Sequence, residues 1–281
     1  MKLYKYVSEA VALEFIKNPK FRITQPVFLN DPFECLKLPD ELLKKLAGSE
    51  GNALMTQVIT KLGIDNFGVI SLTTSNKNLL MWSHYASEHR GMVVELDIDD
   101  ENPFDLFEID EKIDFNDDHF SNFGKVEYSK DRTLIQTQVN NLYDPDDSMK
   151  ILKEIFYRKS KDWKYEHEWR FMVLGALANS FYLKDKNEHS IELKSADSKS
   201  EQSTFLEDSN CFNTLWRGKS KKEVMFFIGI KINCISKFFV GANADDGKYK
   251  KCFLDNNISK SKCYKFTISN DKFKLDLNKL F

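Results

Sequence analysis

No stretch of this 281-residue chain approaches the roughly 18 consecutive apolar residues that a bilayer-spanning helix needs, so no membrane segment is expected. The opening "MKLYKYVSEAVALEF" lacks a basic run followed by an apolar core, so no secretory signal is read there. Cysteine is sparse: five residues, odd in number and widely spaced, with no C-x-x-C pair. That argues against a disulfide framework or a structural zinc site and fits reduced thiols in a cytoplasmic protein. His84 and His89 are five apart, do not share a helix face and have no evident third ligand, so no metal is expected. A Walker motif, G-x-G-x-x-G and G-x-S-x-G are all missing, which removes the enzyme classes those motifs mark. Internal repeats and domain-forcing linkers are missing too.

What is present is a soluble, globular balance, with 42% hydrophobic and 30% charged residues. The net charge of −2 is unevenly spread. Asp97 to Asp118 holds eleven acidic residues and one lysine, whereas Arg217 to Phe281 holds fifteen Lys/Arg against six Asp/Glu. Either both are solvated surfaces or they steer a charged partner. The whole chain is not basic enough to announce a nucleic-acid binder.

Alternating or continuous apolar runs predict strands at "KLYKYV", "FRIT", "FGVISLTT", "MVVELD", "GKVEYS", "SFYLK", "SIELK", "KEVMFFIGIKI", "ISKFFVGA" and "CYKFTIS". Helical spacing predicts helices over about 9–17 (with Ser8 as N-cap), 40–47, 50–62, "LLMWSHYASEH" and 148–159. "QPVFLNDPFE" is a shaped loop, and a lysine-rich tail ends the chain. The expectation is a single α+β domain over 1–281, with a motif-bearing part (1–174) and a strand-rich basic part (175–281).

The chemistry concentrates in "WKYEHEWRFMV". Glu166 and Glu168 lie two apart and would share one face of a strand. Neighbouring carboxylates repel, which raises one pKa and prepares it for acid–base or cation-stabilising work. The plainer reading is a solvated strand start, with the pair neutralised by Arg170 or Lys164.

Three motifs, "FLNDPFE", "SLTTSNKNLLMWSHYASEHRGMVVELD" and "WKYEHEWRF", in that order resemble a widespread bacterial family known mainly as a domain of unknown function. More distantly, the order of elements resembles the ADP-ribosyltransferase fold, in which a mixed, largely antiparallel β core is split into two sheets with flanking helices. "FIKNPKFRI" looks like that fold's second-strand region, and "GVISLTT…WSHYA" like its central strand and helix. This resemblance implies an intracellular bacterial transferase moving ADP-ribose from NAD⁺ to a protein or nucleic-acid acceptor, with a toxin-like role such as phage defence. It places Glu168 as the catalytic carboxylate and Glu166 as the group that orients the acceptor. It places Tyr85, with Trp82, against the nicotinamide ring, and Ser71 with Lys5 on ribose or phosphate. Tyr6, Asn30, Asp31, Phe33 and Arg170 complete the expected nucleotide-binding set. Where those enzymes carry His or Arg on the first strand, this chain carries Tyr4, Lys5 and Tyr6. The chemistry fits: a carboxylate facing the positive charge that develops on the ribose stabilises it. Two alternatives stand beside it, a non-catalytic binding module and hydrolysis of NAD⁺ with water as acceptor. Trp82 also reads as a core residue, and "NDP" also reads as ordinary turn chemistry around Asp31.

Overall fold

The structure is a computed structural model describing residues 1–35, 60–109, 121–132, 144–184, 190–194, 216 and 224–281. The expected helix at 40–47, most of the one at 50–62 and the later part of the acidic loop lie outside the described residues. Among them, no helix is long and apolar enough to cross a membrane.

The chain opens on β1 (Lys2–Val7). Helix α1 (Glu9–Lys17) buries Ala12, Phe15 and Ile16 and carries Glu9 and Lys17 at the ends that suit its dipole. Ser8 stands at the N-cap in an extended conformation, but its side chain makes no capping bond. After β2 (Lys20–Ile23), Pro26 starts a 3-10 turn, Pro26–Phe28. Residues 60–66 are helical and lead directly into β3 (Phe67–Thr73). Helix α2 (Leu79–Tyr85) is capped by Asn78, whose side-chain oxygen accepts the N–H groups of Leu80 at 3.0 Å and Met81 at 3.2 Å. It is shorter than its sequence pattern predicts, because Ser87, Glu88 and His89 all take positive φ and unwind the chain before β4 (Met92–Asp97).

The expected "GKVEYS" strand divides into β5 (Ser121–Lys125) and β6 (Glu127–Ser129). Helix α3 (Pro145–Phe156) starts earlier than predicted, because Asp144 caps it and Pro145 occupies its first turn. Next come β7 (Arg158–Ser160), β8 (Glu168–Leu174), β9 (Ser180–Lys184), β10 (Ser190–Lys194), β11 (Val224–Gly229) and β12 (Ile235–Val240). Two elements in the basic tail were not expected. One is α4 (Asp246–Asp255), capped by Asp245; the other is β14 (Leu275–Lys279), which pairs with the expected β13 (Cys263–Ile268).

Eight strands form one sheet in the order β14-β13-β12-β4-β1-β3-β8-β5, and four form a second in the order β10-β9-β11-β2. Only the β12–β13 pair of the large sheet is parallel. The protein is therefore α+β with a mixed, mostly antiparallel sheet. Period-2 alternation sorts the core onto two faces. Met92, Val94 and Leu96 pack with Phe15, Phe21 and Phe226 on one side; Val93 meets Trp82, Phe239 and Phe266 on the other. A third cluster joins the 60–66 helix and α3 to Phe67, Val69 and Met172.

The large sheet is not zipped evenly. β1 matches β4 at six register positions and β3 matches β8 at seven, but β1 and β3 meet at only one, Tyr4 opposite Thr73. The two strands part beyond that pair, and Lys5 Nζ reaches across to donate to the Ser71 carbonyl at 2.8 Å. The opening carries the functional candidates.

Candidate functional site

The two glutamates converge, but not as strand neighbours. Glu166 ends a 3-10 turn, Lys161–Glu166, and His167 takes the left-handed conformation (φ 45°, ψ 49°) before β8 begins at Glu168. The expectation that both lie on one strand face is thus corrected: a kink brings them together. The turn is pinned from both sides. Thr73 Oγ1 donates to the Glu166 carbonyl at 2.6 Å, Asn78 Nδ2 donates to the Tyr165 carbonyl at 2.7 Å, and the Glu168 N–H donates to the Tyr128 hydroxyl at 2.9 Å.

Three buried carboxylates share two buried cations. Arg170 donates Nε to Glu168 Oε1 at 2.7 Å and Nη2 to Glu168 Oε2 at 2.9 Å. Its Nη2 also reaches Glu34 Oε1 at 2.7 Å, and Nη1 reaches the Phe156 carbonyl at 2.6 Å. Lys159 donates to Glu166 Oε2 at 2.6 Å and Glu168 Oε2 at 3.1 Å, and lies 3.3 Å from Glu34 Oε1. Lys164, the alternative partner for the glutamates, is exposed. The other oxygen of Glu166 accepts the Tyr85 hydroxyl at 2.5 Å, and that hydroxyl accepts Asn30 Nδ2 at 2.9 Å.

The electrostatics separate the carboxylates. Burial alone would raise the pKa of Glu168, but Arg170 and Lys159 outweigh it and hold the group down at about 2, with a Ser71 hydrogen bond assisting. For Glu34 burial prevails over Arg170 and Lys159, and its pKa is raised. Lys159 is pushed up: burial opposes its charge, but Glu168 and Glu34 overcome that. Burial, then the Glu166 contact, raises the Tyr85 hydroxyl, so it stays protonated as a donor. The cavity therefore holds an ionised Glu168 together with a phenol that keeps its proton and donates it in a hydrogen bond to Glu166.

These groups face a cavity of about 360 Å³, within the range of small-molecule sites. Of the residues singled out from sequence, Lys5, Tyr6, Asn30, Ser71, Tyr85 and Arg170 line it along with Glu166 and Glu168. Three others do not. Trp82 is fully buried, donates Nε1 to the Asn76 carbonyl at 2.8 Å and stacks on His89, so it belongs to the core. Asp31 is buried in its own turn, where Oδ1 accepts the Phe33 N–H at 2.9 Å. Phe33 is 60% exposed, with the Arg132 guanidinium 5.4 Å from its ring centre.

The cavity wall also holds Glu34, Lys159 and Arg22, which the sequence reading did not single out. Glu34 closes the "NDPFE" motif, and that was its available signal; "RKS" around Lys159 carries none.

No curated protein and no solved structure matches the chain. A family model described as "Protein of unknown function (DUF2971)" matches residues 81–171, the span that holds Tyr85, Lys159, Glu166, Glu168 and Arg170.

Proposed function

We propose that the cavity takes NAD⁺ and that the protein transfers ADP-ribose from it to a macromolecular acceptor. One observation carries this reading: residues far apart in sequence, Lys5, Ser71, Tyr85, Glu166 and Glu168, line one open cavity rather than being packed shut. The chain's groups suit the ligand. Glu34 Oε2 is buried without a partner among the described residues, an acceptor that a ligand hydroxyl or amide would complete. NAD⁺ would supply a glycosidic bond whose cleavage places positive charge on the ribose. Glu168, ionised and fixed by Arg170 and Lys159, offers oriented negative charge at that place. Tyr85 and Glu166 form a short bridge suited to orienting an acceptor and receiving its proton.

A second reading has its own observation. Arg170 is 1% exposed and ties Glu168, Glu34 and the Phe156 carbonyl together, which is how a purely structural brace would be built. Hydrolysis of NAD⁺ needs the same cavity with water as acceptor. Nicotinamide release from NAD⁺ separates catalysis from the brace, and the fate of the ADP-ribose, bound to a lysate macromolecule or free in solution, separates transfer from hydrolysis. Release by the native protein that is lost in Glu168→Gln and reduced in Tyr85→Phe, both still folded by tryptophan fluorescence, supports catalysis. No release from the folded native protein, or undiminished release from Glu168→Gln, refutes the assignment.

A further inference from the structure

The cavity's cations fall into two groups. Lys159 and Arg170 are matched by Glu34, Glu166 and Glu168. Lys5 and Arg22 are not: among the described residues, neither forms an ion pair with a carboxylate, and both line the cavity. They come from different sheets, Lys5 from β1 and Arg22 from β2. Lys5 donates once, to the Ser71 carbonyl at 2.8 Å, leaving two of its three protons for other acceptors. Arg22 stands over the Phe28 ring at 6.0 Å, and its Nε is buried with no hydrogen-bond partner.

Placing two like charges in one wall is unfavourable without a counter-charge. Burial and Arg22 press the Lys5 ammonium down to about 8 against the opposing pull of Glu168, and burial lowers Arg22 as well. The wall thus holds four cations against three carboxylates, and Lys5 feels the charge of Glu168 without forming an ion pair with it. From this juxtaposition we infer that Lys5 and Arg22 form a binding subsite for a diphosphate group. A guanidinium fork beside a compact ammonium suits phosphate oxygens. Two cations on separate strands suit an anion with charge on two centres better than a single carboxylate. The inference rests on the cavity being a nucleotide site, as proposed above, but not on any transfer reaction.

Calorimetric titration of the full chain with ADP, inorganic pyrophosphate, NAD⁺ and phosphate-free nicotinamide riboside tests it. ADP and pyrophosphate should bind, more weakly as salt rises. Arg22→Gln and Lys5→Gln should each weaken ADP by about tenfold or more, the loss of one charge-assisted hydrogen bond, with Arg22→Lys in between. Nicotinamide riboside should be indifferent to Arg22→Gln. Absence of ADP and pyrophosphate binding to the native protein overturns the subsite, as does unchanged ADP affinity in Arg22→Gln that melts like the native protein. Should a glutamine variant fail to fold, Arg22→Lys and the salt dependence still decide. ADP bound through Arg22 with no nicotinamide release would sink the transferase reading and leave the subsite standing. Nicotinamide release with an unaltered KM for NAD⁺ in Arg22→Gln would do the reverse. Binding of ADP but not NAD⁺ would identify a nucleoside diphosphate as the ligand.

Discussion

Replacing Arg170 with methionine keeps most of the side chain's volume and removes every charge-assisted bond it makes. Four are lost: two to Glu168, one to Glu34 and one to the Phe156 carbonyl. Among the described residues, Lys159, at 3.1 Å from Glu168 and 3.3 Å from Glu34, is then the one cation left at ion-pair distance from the three carboxylates. Breaking a buried pair and stranding its partner costs roughly 3–5 kcal/mol. At about 2.1 cal/mol/K of unfolding entropy per residue, that lowers Tm by roughly 5–9 °C. Urea unfolding followed by tryptophan fluorescence measures the loss directly, and the slope should stay at its native value. The deficit should shrink in Arg170→Met/Glu168→Gln, which no longer strands an ionised Glu168. It should also shrink as pH falls toward 3. Glu168 is held at about 2 against an ordinary 4.5, so its stabilisation is complete above 4.5 and is lost as pH drops through the folded value. A loss under about 1 kcal/mol, or a double variant no better than Arg170→Met, would refute the network's role.

Glu168's own share of the stability, about 3 kcal/mol, should be lost between pH 5 and 2, read as the difference between the acid profiles of the native protein and Glu168→Gln. ADP affinity should decline as pH rises past about 8, where Lys5 loses its charge, and Lys5→Gln should flatten that profile. Thr73→Val should cost roughly 1–3 kcal/mol, because the Glu166 carbonyl loses its 2.6 Å donor; nicotinamide release should fall with it as the Glu166 turn loosens. Gly91→Ala should destabilise by at least about 1–3 kcal/mol, since a Cβ there would stand 2.2 Å from the Val7 carbonyl oxygen and 3.0 Å from that of Ala86. A melt at the native temperature would show that the β1–α2 contact yields.

Much of the fold was legible in the sequence because strands buried on alternating faces write their period directly. "KLYKYV" and "MVVELD" stand where their pattern puts them, at 2–7 and 92–97. Helix α4 was hidden by its lysines. Tyr249, Cys252 and Phe253 mark a buried stripe, but Lys248 before it and Lys250 and Lys251 within it make the segment read as a solvated tail. The site was half legible. The glutamate pair and Arg170 stood out through short-range spacing, and Tyr85 through a motif. Lys159 and Arg22 were not visible, because their importance comes from the turn at 161–166 and from the meeting of two sheets, neither of which leaves a local pattern. Trp82 was a fair candidate for a ring platform, yet its indole is enclosed by Tyr6, His89 and Phe266.

The single register pair between β1 and β3 has a mechanical consequence. Pulled apart, the large sheet would part first along this line, separating a plate of five strands (β14-β13-β12-β4-β1) from one of three (β3-β8-β5). Amide protons on the facing edges of β1 and β3 should trade for deuterium earlier than those shared by β1 with β4 or by β3 with β8. A molecule seated between the plates would act as a clip, so occupancy should register as slowed exchange along both edges, even at residues it does not touch.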